Sequence, residues 1–253
     1  MKLKDAKLVM RPPKILMYGP AGTGKTALAE TLGEDAEIID LDGGAITGMH
    51  LDDKFKEDRT NIEYKDCVYE PMRPTAYKKA RSYLESFVKN PQCAFLVLDS
   101  WTSYTDACIN YVMKNQGRPG KAPQLQDWGI IIRELEESLN LIRASRNGVI
   151  VIAHRMYTQD EESGDEEKSS VNVGVLCVGR KLPDKFTSVF DEIWYMKTVK
   201  TPGGNCDFEI RTVPDPHSIQ RSRFNLPAKC RASEGMRKLM EKMGYGVDSK
   251  KKQ

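Results

Sequence analysis

Five short apolar runs recur along the chain and predict buried strands. They read KILMYG (14–19), EIIDLD (37–42), CAFLVLDS (93–100), GVIVIAH (148–154) and EIWYMKTV (192–199). Each run is nearly continuous in apolar residues rather than alternating with polar ones. This is the pattern of parallel strands that helices cover on both faces.

Between these runs, apolar residues recur at three- and four-residue steps, which predicts amphipathic helices. One helix is predicted over 75–89 and another over 127–145, with Asp127 as its N-cap. Because strands and helices alternate, the predicted fold class is α/β. We expect a doubly wound, mostly parallel sheet with helices on both faces.

The pattern changes after residue 192. EIWYMKTVKTPGGNCDFEIRTV predicts two strands joined at a Pro-Gly-Gly-Asn turn. We therefore predict a C-terminal β-hairpin extension over about 192–224, which includes a short strand in SIQRSRF (218–224). The predicted organisation is one domain over residues 1–230, followed by a short helix and a basic flexible tail over 231–253.

The first strand leads directly into GPAGTGKT (19–26), a complete G-x-x-x-x-G-K-[ST] phosphate loop. A loop that wraps a polyphosphate turns successive backbone N–H groups inward, and side chains there would obstruct it. Lys25 can then reach the β- and γ-phosphates, and Thr26 can ligate Mg²⁺. The predicted cofactors are ATP and Mg²⁺. The predicted nucleotide-binding residues are Gly19, Pro20, Ala21, Gly22, Thr23, Gly24, Lys25, Thr26 and Ala27.

The run FLVLDS (95–100) ends a buried strand in a carboxylate, that of Asp99. Open α/β sheets bind ligands at the carboxyl ends of their strands. Asp99 is therefore predicted to hold Mg²⁺ through water, together with Thr26, in the role of a Walker B aspartate. The alternative is an aspartate that only caps a turn at the end of the strand.

Five segments together resemble the small phage-encoded RecA-like P-loop ATPases, a group that includes the single-strand annealing recombinases of the Sak type. The segments are GPAGTGKT, IIDLDGG, FLVLDS, VIVIAHR and the late FDEIWYMK with RSRF, across residues 12–230. The resemblance implies a RecA-like core, ATP hydrolysis and self-association into a ring or filament. It also implies a role on single-stranded DNA in phage recombination or replication, with a single-strand-binding or replication protein as a further candidate partner.

The resemblance also suggests which group orients the attacking water. Many AAA+ ATPases carry a glutamate directly after the Walker B aspartate, but here Ser100 follows Asp99. In RecA-like ATPases the carboxylate comes from the end of the strand after the phosphate-loop helix, which makes Asp42 the candidate and Asp40 the second choice. The alternative is that Asp42 merely opens the tight Asp-Gly-Gly turn.

Three further residues receive roles from the same resemblance. His154, at the end of VIVIAH, would sense the γ-phosphate and relay nucleotide state to the next loop. Arg223, and after it Arg221, resemble the Lys-x-Arg pair of hexameric DnaB-type helicases, which reaches the γ-phosphate of a neighbouring subunit. The alternatives are a hydrogen-bonded surface histidine and a solvated basic pair at a sheet edge.

Two loops of RecA-like recombinases contact DNA, and their counterparts here are about 102–126 and 156–182. The candidate DNA-binding residues are Lys114, Arg118, Lys121, Arg180, Lys181 and Lys185. The second loop has an acidic centre, DEESGDEEKSS (160–170), which would repel a phosphate backbone. Either its basic end alone touches DNA, or the acidic part moves aside, or DNA is not the ligand.

Net charge and composition give little information about the partners of the protein. A net charge of +3 is too small to demonstrate a nucleic-acid partner. No run approaches the length of a membrane span and the opening lacks a secretory signal, so we expect no membrane partner and a cytoplasmic location, in a phage-infected host cell. Six dispersed cysteines and three histidines give a zinc site no support.

Two functions from different classes follow from these motifs. The first is a DNA-stimulated ATPase that helps single strands anneal or exchange. The second is a nucleotide-gated adaptor or loader that binds a protein partner with little hydrolysis. A nucleotide or metabolite kinase ranks last, because the long acidic loop is a poor substitute for an arginine-rich lid.

Overall fold

The computed structural model describes residues 11–44, 55–71, 75–159, 171–175, 182–201, 206–215 and 218–246. A single sheet runs through this part of the chain, in the order β10-β8-β7-β1-β5-β4-β2-β3, with β6 paired to β5 and β9 to β7. The strands are β1 Lys14–Gly19, β2 Ala36–Asp40, β3 Glu63–Asp66, β4 Phe95–Asp99, β5 Gly148–Gln159, β6 Val171–Val175, β7 Glu192–Lys200, β8 Cys206–Arg211, β9 Arg221–Ser222 and β10 Lys229–Arg231.

Seven α-helices are described around this sheet. They are α1 Lys25–Glu30, α2 Lys56–Thr60, α3 Ala76–Lys89, α4 Trp101–Asn115, α5 Leu125–Ala144, α6 Leu182–Ser188 and α7 Met236–Lys242. Two 3₁₀ turns, Gly33–Asp35 and Ala232–Glu234, complete the set. None of the helices within the described ranges is long and apolar enough to cross a membrane.

The centre of the sheet is parallel, which confirms the predicted fold class. Strands β3, β2, β4, β5, β1 and β7 are joined by parallel pairing, whereas β8, β9 and β10 are antiparallel to their neighbours. The carboxyl ends of the parallel strands therefore meet at one edge. In this register Asp40 lies beside Asp99, and Gly19 lies beside His154.

Each face of the sheet carries its own hydrophobic core. On one face, Leu16, Leu98 and Val151 pack with helices α3 to α6. On the other face, Met17 and Val97 pack with α1 and α7. Because neighbouring residues of a strand point to opposite faces, two covered faces require apolar side chains at nearly every strand position. This explains the continuous apolar runs.

The long helix over the second amphipathic stretch begins earlier than predicted. Helix α5 starts at Leu125 with Gln124 at the N-cap, so the prediction of Asp127 as N-cap is wrong. Asp127 lies one turn inside, where its Oδ2 accepts a hydrogen bond from the backbone N–H of Gln124 at 2.7 Å. The aspartate thus stabilises the helix start as the N3 member of a capping box.

Both predicted DNA loops contain regular structure. Helix α4 occupies Trp101–Asn115, so the prediction of a loop from residue 102 is wrong over its first half. Ser100 caps α4, since its Oγ accepts a hydrogen bond from the backbone N–H of Ser103 at 3.3 Å. Strand β5 continues to Gln159 and pairs antiparallel with β6, so residues 156–159 and 171–175 of the second predicted loop form a β-ribbon.

The C-terminal hairpin forms as predicted. Strands β7 and β8 pair antiparallel from Tyr195 opposite Arg211 to Lys200 opposite Cys206, and their connecting turn lies outside the described residues. Helix α7 packs Met236, Leu239 and Met240 into the same core as α1. The division at residue 230 stays a prediction, and the tail after residue 246 lies outside the described residues.

Candidate functional site

A cavity of about 220 Å³ opens at the carboxyl edge of β1, β4 and β5. It brings together the phosphate loop and side chains from three neighbouring strands or the turns that follow them. Its described lining comprises Ala21, Gly22, Thr23, Gly24, Lys25, Thr26, Ala27, Asp42, Asp99, Ile152 and His154. Segments predicted separately along the chain therefore converge on one volume.

The glycines of the loop are required by their surroundings. Gly24 has φ of 74°, a backbone conformation that side chains disfavour, and a Cβ atom there would lie 2.6 Å from Cδ2 of Phe208. A Cβ atom at Gly19 would lie 2.2 Å from the carbonyl oxygen of Met196. The C-terminal hairpin thus packs directly against the loop, and only glycine leaves room for it at these two positions.

Lys25 is folded back over the loop. Its Nζ donates hydrogen bonds to the carbonyl oxygens of Pro20 at 2.7 Å and Gly19 at 3.2 Å. Burial lowers the pKa of Lys25 to about 8, while the carboxylates of Asp99 and Asp42 act in the opposite direction. A buried ammonium held by weak carbonyl acceptors is well placed to bind a stronger anionic acceptor such as a phosphate oxygen.

Thr26 and Asp99 meet at the floor of the cavity. The Thr26 Oγ1 donates a hydrogen bond of 2.6 Å to Oδ2 of Asp99, and Asp99 is only 3% exposed. Burial raises the pKa of Asp99 to about 7. A hydroxyl and a poorly compensated carboxylate in contact are the hard oxygen donors that Mg²⁺ prefers, so this pair fits the predicted metal.

Asp42 faces the same cavity two residues beyond the end of β2. Its Oδ1 accepts a hydrogen bond from Ser100 Oγ at 3.2 Å, and its Oδ2 lies 3.7 Å from His154 Nε2. Burial by itself raises the pKa of Asp42, but polar contacts from His154, Ser103 and Ser100 outweigh it and the pKa is lowered overall. Asp42 is therefore a carboxylate at neutral pH.

Asp40 has a different environment. It is 3% exposed, it does not line the cavity, and its Oδ1 accepts a hydrogen bond from the backbone N–H of Gly44 at 3.0 Å. The contact that closes the turn after β2 thus comes from Asp40. Of the two carboxylates predicted for this turn, Asp42 is the one beside the phosphate loop.

The prediction that His154 ends its strand is wrong. The residues after it continue β5 because they pair with β6, with Arg155 opposite Val175 and Gln159 opposite Val171. The backbone N–H of His154 donates a hydrogen bond to Thr102 Oγ1 at 3.1 Å. His154 therefore connects the cavity to a two-stranded ribbon.

Arg221 and Arg223 lie at the opposite edge of the sheet from the cavity. Strand β9 pairs with the first residues of β7, which lie beside Ile15 near the start of β1. Arg221 Nη2 donates hydrogen bonds to the carbonyl oxygens of Thr187, at 2.6 Å, and Phe190. The Arg223 side chain is 55% exposed and pairs with Asp191 at 2.9 Å. Action of Arg223 in a neighbouring subunit stays a prediction.

The candidate DNA-binding residues differ in how their charges are used. Lys114 and Lys121 are exposed at the end of α4 and in the connection to α5. Arg118 binds the buried carboxylate of Asp127, with 2.6 Å between Nη2 and Oδ2, and the exposed Lys185 pairs with Glu136. Arg180 and Lys181 lie outside the described residues.

Several residues of the site carry no clear signal in the sequence. Ser100 and Ser103 position Asp42, and Thr102 holds the backbone of His154. These hydroxyls directly follow Asp99, and this position is the signal in the sequence that could have identified them. Phe208 packs on Gly24 from the far hairpin, and no local motif marks it.

These observations define the class of protein. A phosphate loop, a contacting Thr26–Asp99 pair and a mostly parallel sheet in which β5 separates β1 from β4 make it a P-loop ATPase with a RecA-like α/β core. Comparison with known families is more specific. A model of the AAA domain family matches residues 11–224, and the chain belongs to this family.

Two examples show which individual proteins are similar to the chain. The intraflagellar transport protein 22 homolog of Danio rerio is 25% identical over 175 residues, which cover 59% of this chain and 94% of that protein. A prototypical ATPase from the type III secretion system of pathogenic bacteria aligns with a TM-score of 0.45 and 14% identity. That alignment covers 76% of this chain and 53% of the ATPase, so the match spans about half the length of the latter.

Proposed function

We propose that this protein binds and hydrolyses ATP in the 220 Å³ cavity and acts on single-stranded DNA in phage recombination, annealing or replication. The observation that carries the proposal is the convergence of Lys25, the Thr26–Asp99 pair and Asp42 on one cavity. Membership of the AAA domain family supports the ATPase part. The resemblance to Sak-type recombinases supports the DNA part.

In this proposal the loop binds the triphosphate and the floor binds the metal. Backbone N–H groups of residues 22–26 and the Lys25 ammonium hold phosphate oxygens. Thr26 and Asp99 hold Mg²⁺, which neutralises charge on the β- and γ-phosphates when bound. Burial, with the neighbouring carboxylates of Asp42 and Asp40, raises the pKa of Asp99 although Thr26 and Lys25 act in the opposite direction. A bound divalent cation would stabilise the ionised form of this carboxyl group.

Hydrolysis requires an oriented water, and Asp42 is the residue proposed to orient it. Its lowered pKa keeps an acceptor ready at neutral pH, and its contacts with Ser100 and His154 fix its direction. His154, 3.7 Å away, is proposed to respond to the γ-phosphate. Arg223 is proposed to act across a subunit boundary in a ring or filament, because its exposed position lies far from its own cavity.

Contact with DNA is proposed for the connection between α4 and α5. Lys114, at the end of α4, and Lys121, in the connection itself, are exposed and are able to reach a phosphate backbone. Arg118 contributes less, because its guanidinium already binds Asp127.

A second candidate function is a nucleotide-gated adaptor for a protein partner. The observation that favours it is the continuity of β5, which carries His154 at the cavity and extends to Gln159 in the β5–β6 ribbon. A conformational change caused by the γ-phosphate would be transmitted along this strand to a surface that a partner can bind. In this case binding of the partner, rather than hydrolysis, is the output.

The test measures phosphate release at low salt with and without single-stranded DNA. We expect weak basal hydrolysis that DNA stimulates, and loss of both rates in Lys25→Ala. The matched control is Lys89→Ala at the exposed end of α3, which should leave both rates unchanged. Equal turnover with and without DNA would count against the DNA role. Partner capture that differs between ATP and ADP, and persists in Asp42→Asn, would favour the adaptor.

A further inference from the structure

A second cavity of about 510 Å³ lies beside the first. Its described lining comes from α1, α2, the C-terminal hairpin and the 3₁₀ turn that precedes α7. It includes Gly24, Ala27, Phe55, Arg59, Asp207 and Phe208. Gly24 and Ala27 line both cavities, so the two spaces share a wall at the start of α1.

The order of residues in the loop gives the direction in which a bound nucleotide would run. Lys25 and Thr26 serve the β- and γ-phosphates, and Asp99 and Asp42 lie at that end of the first cavity. Ala27 follows these residues and borders the second cavity. A triphosphate with its γ end near Asp42 therefore has its α end at the shared wall. The rest of the nucleotide continues into the second cavity.

The second cavity has the chemistry that a nucleoside needs. Sites for small molecules are typically about 300–1,000 Å³ in volume, mostly apolar, with a few fixed polar groups. Phe55 and Phe208 supply aromatic surface, and Phe208 is held in place by its packing on Gly24. Asp207 is fixed as well, since its carboxylate accepts from the N–H of Phe208 at 2.7 Å and pairs with Arg231 at 3.3 Å.

We propose that this second cavity binds the ribose and base of the nucleotide, with the base stacked on the Phe208 ring. The proposal rests on the proposed function, because it assumes a triphosphate in the neighbouring loop. Phe208 is then a specificity-determining residue, contributed by β8 of the C-terminal hairpin. The hairpin thereby becomes part of the nucleotide site.

The test compares two ligands that share a triphosphate. Binding of Mg²⁺–ATP and of Mg²⁺–tripolyphosphate to the full chain is measured by titration calorimetry for the wild type, Phe208→Leu and Phe224→Ala. Leucine keeps apolar contact with Gly24 but removes the ring. Phe224 is the control, because it is a partly buried phenylalanine that does not line the cavity. Thermal melting confirms that each variant is folded.

The wild type should bind ATP at least about tenfold more tightly than tripolyphosphate. Phe208→Leu should weaken ATP binding about tenfold, since stacking of a base on an aromatic ring contributes roughly 5- to 150-fold to affinity. The same variant should bind tripolyphosphate within about twofold of the wild-type affinity. Phe224→Ala should change neither. Equal weakening of both ligands in Phe208→Leu would mean that the ring only shapes the loop, and would overturn the proposal. Equal affinity of the wild type for both ligands would overturn it too, with the phosphate site intact. Binding of neither ligand would overturn the proposed function with it.

Discussion

Asp42→Asn separates catalysis from nucleotide binding. The asparagine side chain has nearly the same shape, and its Oδ1 can still accept the hydrogen bond that Ser100 donates at 3.2 Å. What is lost is the negative charge that the lowered pKa of Asp42 maintains at neutral pH. We therefore expect an effect on the water-activating step and little effect on ATP affinity.

The size of this effect follows from the role assigned to the carboxylate. General-base and water-orienting groups contribute about 10²- to 10⁴-fold to a rate. Because the asparagine of this variant would keep one acceptor in place, the lower end applies. The turnover number should fall about 100-fold, which raises the barrier by about 2.7 kcal/mol. The affinity for ATP should stay within about threefold.

The assay combines steady-state phosphate release with calorimetric titration of ATP. Asp40→Asn is the matched control, since this neighbouring carboxylate accepts from Gly44 N–H and lies outside the cavity lining. An amide oxygen can accept the same bond, so its turnover should fall less than about threefold. The assignment is refuted if Asp40→Asn loses the activity and Asp42→Asn keeps it.

Three further predictions concern the loop, the core and the DNA surface. In thermal melts, Gly24→Ala should lower the free energy of unfolding by about 1–3 kcal/mol more than Gly22→Ala. The two glycines have similar φ angles, but only at Gly24 would an added Cβ atom lie within 4 Å of another residue. Equal losses of stability in the two variants would contradict the packing argument. Glu192→Ala should lower the free energy of unfolding by about 3 kcal/mol, because this fully buried carboxylate accepts four hydrogen bonds. Glu192→Gln should lower it less. A melting temperature that is unchanged in both variants would contradict this prediction. Replacing Lys114 and Lys121 together by alanine should reduce the salt dependence of single-stranded DNA binding by roughly 1.4 in log–log slope, and an unchanged slope would exclude this surface.

The parts of the fold that local sequence decides were predicted, and the reason is physical. The phosphate loop is contiguous, so eight neighbouring residues contain the strand end, the glycines and both functional side chains. Asp99 was predictable because a buried apolar strand must end at a ligand-binding edge of an α/β sheet. The hairpin was predictable because a Pro-Gly-Gly-Asn turn separates two apolar runs.

The parts that depend on distant pairing were not predicted. Helix α4 was missed because Trp101, Tyr104 and Thr105 have modest helix propensity, and their burial against the sheet decides the outcome. The extension of β5 beyond His154 depends on pairing with Val171–Val175, and no local sequence pattern predicts this pairing. Phe208 reaches Gly24 only because β8 folds back beside β7.

The central claim is that the glycine-lined loop binds the triphosphate of ATP, and a crystal structure with Mg²⁺ and a non-hydrolysable ATP analogue tests it most directly. The account predicts the triphosphate along Gly22–Thr26, with Lys25 Nζ turned from the Pro20 carbonyl to a phosphate oxygen, and the metal beside Thr26 and Asp99. A fully bound analogue elsewhere on the protein, with Lys25 still on the Pro20 carbonyl, would contradict it.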